Sequence, residues 1–274
     1  MSVADSLTEA RLELALANRI VANEGVIDAF GHVSMRHPRD TNRYLLSRSR
    51  APELVTPDDF IEYDLDSQPA RDPGVGQYSE RVIHGEIYKA RPEVMAVCHH
   101  HSPAFMPLLA TGTDYIPVYH LGAVGGIRPP FWDQQDEFGD TNMLVVKPEE
   151  GASLARALGS NWMVLMKRHG VTVAGTSVRD CVFRSVYSAR NAEYQVSAMA
   201  IGKPGLLSPG ETELAGQISR KTTGLTRAWE YWSMRIAKVG GLPGAARSKP
   251  KAKAAPARKQ SAAKGRKSAK ARRK

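Results

Sequence analysis

The sequence has little cysteine and no long apolar run. Its 274 residues include two cysteines, Cys98 and Cys181, which excludes a disulfide-stapled secreted scaffold and fits a reducing compartment. No stretch of about eighteen apolar residues is present, and the N-terminus lacks the basic-then-apolar order of a signal peptide. These absences predict a cytoplasmic protein that does not insert into membranes.

Acidic residues are missing from the C-terminal end. The formal net charge is +10, from 38 Lys and Arg against 28 Asp and Glu. Residues 245–274 hold 13 of the basic residues and no acidic ones, so residues 1–244 carry 25 against 28, a net charge of −3. We predict a catalytic domain over 1–244 and a disordered basic tail over 245–274. The tail either contacts polyanions nonspecifically or is an inert extension.

Hydrophobic periodicity predicts alternating helices and strands. Ser6 and Glu9 have the spacing of a capping box, which indicates a first helix ending near Gly25. Short apolar runs predict strands, and longer amphipathic stretches predict helices. The predicted strands cover 31–35, 44–47, 61–65, 94–98, 162–166 and 171–174, and the later helices cover 149–158, 178–199, a segment opening at 208, and 225–239. The pattern favours an α/β domain with helices on both faces of a central sheet.

Histidines provide the clearest functional signal. In a strand that contains His99 and His101, the two side chains lie on one face while His100 points to the other. His169 stands between two predicted strands, and Glu80 leads a helix. Three histidines and one carboxylate match the ligand number of a catalytic metal site rather than a structural one.

The surroundings of these residues suggest further roles. Gly170 is expected to leave room for a ligand beside His169. His84 lies one turn after Glu80, and we expect it to pack or to bond to the backbone rather than to support a metal ligand. His120 lines the pocket or is structural, and the sequence leaves both alternatives open.

These motifs resemble the class II aldolase/adducin family over roughly residues 7–235. The resemblance rests on the segment 31–36, the Ser79-Glu80 helix start, the triplet 99–101 and the pair 169–170. It implies a three-layer α/β/α fold with a central mixed, largely antiparallel sheet, and a homotetramer with active sites between neighbouring subunits.

The same resemblance implies the chemistry of the site. Family members use the residues matching His99, His101 and His169 as metal ligands, and the one matching Glu80 as an acid/base and sometimes as a fourth ligand. The implied cofactor is a divalent metal, manganese or zinc in the first place and iron or cobalt as alternatives.

Departures from the sugar-phosphate aldolases of the family change the expected substrate. His32 replaces the asparagine of the phosphate site, Ser47-Arg48-Ser49-Arg50 replaces a small glycine-containing pair, and Tyr78 replaces a serine. An arginine fork matches a planar carboxylate, and the sequence leaves open two alternatives, a phosphate ligand and a purely structural role for Arg48 or Arg50. The combination resembles decarboxylases of hydroxylated aromatic or pyridine dicarboxylates, such as those acting on 3-hydroxy-2-methylpyridine-4,5-dicarboxylate or 3,4-dihydroxyphthalate.

The predicted function is therefore a metal-dependent, non-oxidative decarboxylase, a carboxy-lyase of aromatic compound degradation. Glu80, His32 and Arg48 are the predicted catalytic residues. The predicted substrate-binding residues are Ser47, Arg50, Ser79 and Tyr231. Two alternatives remain: a class II sugar-phosphate aldolase or related lyase or epimerase, and a non-catalytic adducin-like scaffold. The presence of all three metal histidines weighs against the scaffold.

Overall fold

A computed structural model of the chain describes residues 3–242, and the tail predicted over 245–274 lies outside them. The described residues form eight α-helices and seven strands. The helices are α1 (Val3–Asn23), α2 (Arg81–Ala90), α3 (Met106–Thr111), α4 (Gln134–Phe138), α5 (Pro148–Leu158), α6 (Val178–Ile201), α7 (Pro209–Ser219) and α8 (Thr222–Lys238). The strands are β1 (Gly31–Arg36), β2 (Arg43–Ser47), β3 (Phe60–Asp64), β4 (Ala96–His100), β5 (Phe131–Trp132), β6 (Met163–Met166) and β7 (Gly170–Gly175).

All seven strands belong to one sheet in the order β3-β2-β1-β4-β7-β6-β5. Neighbouring strands are antiparallel except for β5 and β6, which are parallel. The expected mixed, largely antiparallel sheet is confirmed. Strand β4 lies at its centre between β1 and β7, so residues at the end of β4 are covered from both sides.

The two faces of the sheet bury separate apolar clusters. On one face, side chains such as Val33 and Cys98 pack with residues of α1, α6 and α8. On the other face, side chains such as Val97 and Ala174 pack with residues of α2 and α5. This alternation along each strand produces the predicted three-layer α/β/α arrangement.

Serine side chains cap the starts of two helices. Ser177 caps α6 by accepting the Asp180 N–H at 3.1 Å, and Ser208 caps α7 in a capping box with Glu211. The predicted cap of the first helix is wrong, because α1 begins at Val3 and Ser6 lies inside it. A serine cap is worth about 1 kcal/mol, and the residues before Ser6 extend the helix instead.

None of the helices within residues 3–242 is both long enough and apolar enough to cross a bilayer.

Candidate metal centre

Four side chains from separate elements converge at the end of β4. His99 lies in β4, His101 directly after it, His169 in the turn between β6 and β7, and Glu80 at the N-cap of α2. One ligand atom from each residue lies within 4.8 Å of those of the other three. The topology thus gathers residues that are up to 89 positions apart, from Glu80 to His169.

The separations fit a shared cation. The Nε2 atoms of His99 and His101 are 3.1 Å apart, His99 Nε2 lies 3.7 Å from Glu80 Oε2, and His169 Nε2 lies 3.4 Å from Glu80 Oε1. Four tetrahedral ligands, each about 2.1 Å from one ion, would be about 3.4 Å from one another. Nitrogen and carboxylate donors also suit zinc, manganese, iron and cobalt.

Thr172 fixes the orientation of the most buried ligand. Its Oγ1 lies 3.2 Å from His99 Nδ1 and 3.3 Å from Met166 Sδ. If His99 Nε2 binds a cation, the ring proton is on Nδ1, which then donates to Thr172 Oγ1 while the threonine proton is directed at the sulfur. This is the usual way in which a second residue prepares a histidine to bind a metal.

Burial keeps the histidines neutral. Desolvation lowers the pKa of His99 well below its ordinary value, and the neighbouring histidines lower it further. Burial and then the charge of His101 lower the pKa of His169 to about 4, and burial lowers the pKa of His101. Neutral imidazole is the form that binds a metal.

Glu80 is a buried acid with one backbone donor. Desolvation raises its pKa to about 7, and the hydrogen bond from the Val145 N–H to Oε1, 3.0 Å long, partly opposes that shift. Without a metal, the carboxyl group is thus balanced between its two protonation states near neutral pH. Such a group can hold or release a proton in a reaction.

Two glycines allow the ligand strands to approach closely. A Cβ on Gly170 would lie 2.6 Å from the His100 carbonyl oxygen and 2.7 Å from the His101 ring. Gly31 has φ +111°, and a Cβ there would lie 2.8 Å from the His99 carbonyl oxygen. The expectation that Gly170 leaves room for a ligand is wrong, because His100 and His101 fill that space.

The alternation predicted along β4 holds. His100 is buried away from the cluster, where its Nδ1 accepts the Ser102 N–H at 3.3 Å and its ring lies against Phe105. Cys98 is also buried, and desolvation raises the pKa of its thiol to about 12. A thiol this weakly acidic is a poor nucleophile.

The arginines predicted to hold the substrate form ion pairs with Asp59. Arg48 Nε lies 2.6 Å from Asp59 Oδ1, and Arg50 Nη1 lies 2.9 Å from Oδ2. Arg48 lines an open cleft of about 710 Å³ that none of the four metal-centre residues lines. The η nitrogens of Arg48 have no partner among the described residues, so its role in substrate binding stays a prediction.

The other predicted substrate residues are dispersed. Ser47 is buried and donates to the Tyr78 hydroxyl at 3.5 Å, Tyr78 donates to the Arg50 carbonyl, and Ser79 is exposed. Tyr231 is not in the site of its own chain. It lies half-exposed on α8, in the helical layer on the opposite face of the sheet from α2.

His84 is fully buried, which agrees with the expected packing, but the alternative of a backbone hydrogen bond is wrong. Its ring bonds to side chains at both nitrogens, with Nε2 2.6 Å from His32 Nδ1 and Nδ1 2.6 Å from Ser34 Oγ. Ser34 in turn lies 2.8 Å from the Tyr88 hydroxyl. The roles of Ser34, Tyr88 and Thr172 were not predicted, although Ser34 shares a strand face with His32 and Tyr88 follows His84 by four residues on one helix.

Comparison with known proteins supplies the family context. Residues 12–196 match the class II aldolase and adducin N-terminal domain. A protein of Talaromyces stipitatus named decarboxylase tropJ is 30% identical over 247 residues, which cover 81% of this chain and 92% of that protein. The 3,4-dihydroxyphthalate decarboxylase of Arthrobacter keyseri is 29% identical over 192 residues, covering 65% of this chain and 73% of that enzyme.

A solved structure shares the fold. An aldolase II superfamily protein from Pseudomonas syringae superposes with a TM-score of 0.72 and 20% identity, covering 86% of this chain and 94% of that one.

Proposed function

The chain belongs to the class II aldolase and adducin family, and from that premise we propose that it is a divalent-metal-dependent, non-oxidative decarboxylase. Its proposed substrate is a hydroxylated aromatic or pyridine dicarboxylate. The convergence of three neutral histidines on Glu80 is the observation that carries the proposal. The family and its decarboxylase-named relatives support a lyase.

The metal ligands in this proposal are Glu80, His99, His101 and His169. A bound divalent ion would act as a Lewis acid toward the hydroxyl and carboxylate oxygens of the substrate. Thr172 holds the His99 ring in the required tautomer, and the Val145 N–H fixes one Glu80 oxygen. The remaining Glu80 oxygen, Oε2, is the atom that we assign to proton transfer.

The reaction balances with these groups alone. The bond between the ring carbon and the carboxylate carbon breaks, carbon dioxide leaves, and the electron pair stays on the ring carbon. A proton then adds to that carbon, and we assign its delivery to Glu80 or to water beside it. No oxidant or reductant is needed.

The segment 47–50 favours a carboxylate substrate over a sugar phosphate. It has no glycine, so it lacks the compact set of backbone amides that binds a phosphate. It presents two guanidinium groups, which match a planar carboxylate. We assign the second carboxylate of the substrate to His32 and Arg48, with Ser47, Arg50 and Ser79 nearby.

If Tyr231 contacts the substrate, it does so in the site of another subunit. Its position on α8 excludes a direct contact with the metal centre of the same chain, so the role requires a neighbouring subunit. We propose a homotetramer in which Tyr231 reaches the adjacent site. Light scattering on the purified protein gives the subunit number, and a monomer with full activity would remove Tyr231 from the site.

The direct assay is carbon dioxide release from a panel of ortho-hydroxylated aromatic and pyridine dicarboxylates. The panel is run with manganese, zinc and cobalt in parallel and with the His99→Ala variant as control. We expect release that depends on the metal and is lost in the variant. Cleavage of a ketose phosphate, with no acid reacting, would instead identify an aldolase.

A further inference from the structure

A buried chain of hydrogen bonds leads from α2 across β1 to His32. The Tyr88 hydroxyl lies 2.8 Å from Ser34 Oγ, Ser34 Oγ lies 2.6 Å from His84 Nδ1, and His84 Nε2 lies 2.6 Å from His32 Nδ1. All four side chains are at most 2% exposed. We call this set, Tyr88, Ser34, His84 and His32, the relay.

The direction of the first bond follows from the surroundings of Tyr88. Ser34 is the one hydrogen-bond partner of the Tyr88 hydroxyl within residues 3–242. The guanidinium of Arg36, which lies 4.8 Å from the centre of the Tyr88 ring, can only donate. A Tyr88 that accepted from Ser34 would leave its own proton buried and unbonded, at a cost of about 1–3 kcal/mol. Tyr88 therefore donates to Ser34.

The positions of the protons on Ser34, His84 and His32 can then be assigned one after another. Within residues 3–242, Ser34 Oγ has no partner besides Tyr88 and His84, so the proton of Ser34 is left unbonded unless it goes to His84 Nδ1. His84 is neutral because burial holds its pKa well below the ordinary value, and its proton is therefore on Nε2. That proton is donated to His32 Nδ1, which leaves His32 with its single proton on Nε2.

His32 stands beside the metal centre. Its residue pairs with His99 across β1 and β4, and the two rings are 5.5 Å apart. The His32 ring also packs against the Tyr78 ring, with 4.4 Å between the two ring centres. A proton fixed on Nε2 makes this ring a hydrogen-bond donor beside the candidate metal ligands.

We infer that Tyr88, Ser34 and His84 are positioning residues that hold His32 in the neutral tautomer protonated at Nε2, as a donor to a substrate oxygen. The substrate part of this inference rests on the proposed function. The tautomer part does not, because it follows from four side chains and three distances. The ligand class that this donor selects is an acceptor-only group, a carboxylate or a phenolate oxygen.

A purely structural role would not require this arrangement. Buried polar groups lower stability unless every donor and acceptor is satisfied, and apolar residues of similar size would fill the same space. Each hydrogen bond of the relay joins two of its members, and His32 Nε2, the donor next to the candidate metal ligands, has no partner within residues 3–242.

The tautomer can be measured directly by ¹⁵N NMR of the ring nitrogens in the full-length, zinc-loaded protein labelled at histidine. Signals of His32 are assigned from their loss in His32→Gln. We expect a protonated, pyrrole-type Nε2 and an unprotonated, pyridine-type Nδ1. The reverse pattern in the wild-type protein would overturn the inference, whether or not any dicarboxylate reacts.

Ser34→Ala tests the coupling. Without the serine proton, His84 no longer has a fixed tautomer, and the His32 shifts should move toward an average of the two forms. Ser185→Ala is the matched control, since Ser185 is also fully buried but bonds to the Cys181 carbonyl in α6. A His32 spectrum unchanged in Ser34→Ala, as in the control, would show that the relay only packs.

Kinetics give the functional readout. His84→Leu removes the donor to His32 and should lower kcat/KM by about 10- to 100-fold with metal content unchanged. His84→Gln keeps an amide N–H at a similar reach and should recover most of that loss. Equal defects in both variants would contradict a positioning role. If either fails to fold, Tyr88→Phe with the buried Tyr115→Phe as control gives the same spectral comparison.

Discussion

Two buried carboxylates in this protein have opposite environments. Glu80 and Asp59 are equally exposed, at 7% each. Asp59 accepts hydrogen bonds from Arg48, from Arg50 and from the backbone and hydroxyl of Thr56. Among residues 3–242, Glu80 accepts one, from the Val145 N–H.

The pKa values of the two acids differ because the number of hydrogen-bond donors around them differs. Burial acts to raise the pKa of both acids. At Asp59 the hydrogen bonds from Arg48 and Thr56 and the charge of Arg50 outweigh burial and lower the pKa below its ordinary value. At Glu80 burial prevails and raises the pKa to about 7.

The difference separates an acid whose bonds are all made within the chain from one that can still take up a proton or a cation. Asp59 is saturated by its own chain, so it has no capacity left for a ligand. Glu80 faces neutral histidine nitrogens, and only a proton or a cation supplies the charge that it lacks. Burial alone does not distinguish the two residues, whereas the count of donors does.

The largest expected effect is the loss of the cation. His99→Ala or His101→Ala removes one of the four proposed ligands. We expect both variants to lose their metal and their turnover to fall by at least about 1,000-fold. Metal analysis of the purified variants is the measurement. His100→Ala, in the next position but on the other face of β4, should keep its metal. Full metal occupancy in both ligand variants would refute the site.

Glu80→Gln should separate activity from stability. The amide keeps the bond from Val145 but cannot carry charge, and we expect turnover to fall by about 100- to 10,000-fold. In the metal-free protein at pH 8, the same change removes a desolvated carboxylate and should raise the free energy of unfolding. Urea denaturation of the metal-free variant measures this. A destabilised Glu80→Gln would mean that the carboxylate has donors that the structure lacks.

The convergence of the four candidate ligands could be predicted from the sequence because local rules place them. Alternation puts His99 and His101 on one face, and the short loop between two apolar runs puts His169 at a strand end. Glu80 precedes a helix and is its N-cap. Each of these statements needs only neighbours in the chain, and the sheet order then brings them together.

Partners set by tertiary packing could not be predicted in this way. Asp59 meets Arg48 across the β2 and β3 pair, and the choice of partner depends on side-chain direction in the 3-10 turn that holds Asp59. The contact between His84 and His32 depends on how α2 rotates over the sheet. Tyr231 was assigned to the substrate site without knowledge of which face α8 covers.

Arg48→Lys should have an intermediate effect on specificity. Asp59 already occupies Nε, so the two η nitrogens are the donors left for a substrate carboxylate, and a lysine cannot supply both. Loss of one buried, charge-assisted contact costs roughly 2–5 kcal/mol. Because the Arg48 side chain is 37% exposed, we expect the lower end, about 2 kcal/mol or roughly 30-fold in kcat/KM for the dicarboxylate. Arg50→Lys, measured in parallel, should be milder. Equal activity of Arg48→Lys and wild type would confine Arg48 to its ion pair.

The smallest effect concerns Asp59 and acts on stability alone. Asp59→Asn weakens the bonds to two partly exposed arginines and should lower the free energy of unfolding by about 1–2 kcal/mol at pH 6. Because the folded state lowers the pKa of Asp59, this contribution is complete above the unfolded value of about 3.9 and is lost as pH falls through the folded value. Urea midpoints of the metal-free proteins should therefore differ at pH 6 and converge as the pH falls through the folded value. Asp58→Asn, at the exposed neighbouring position, should match the wild type at both pH values. A difference that persists at low pH would show that Asp59 acts through packing rather than charge, and the contrast with Glu80 would then rest on Glu80 alone.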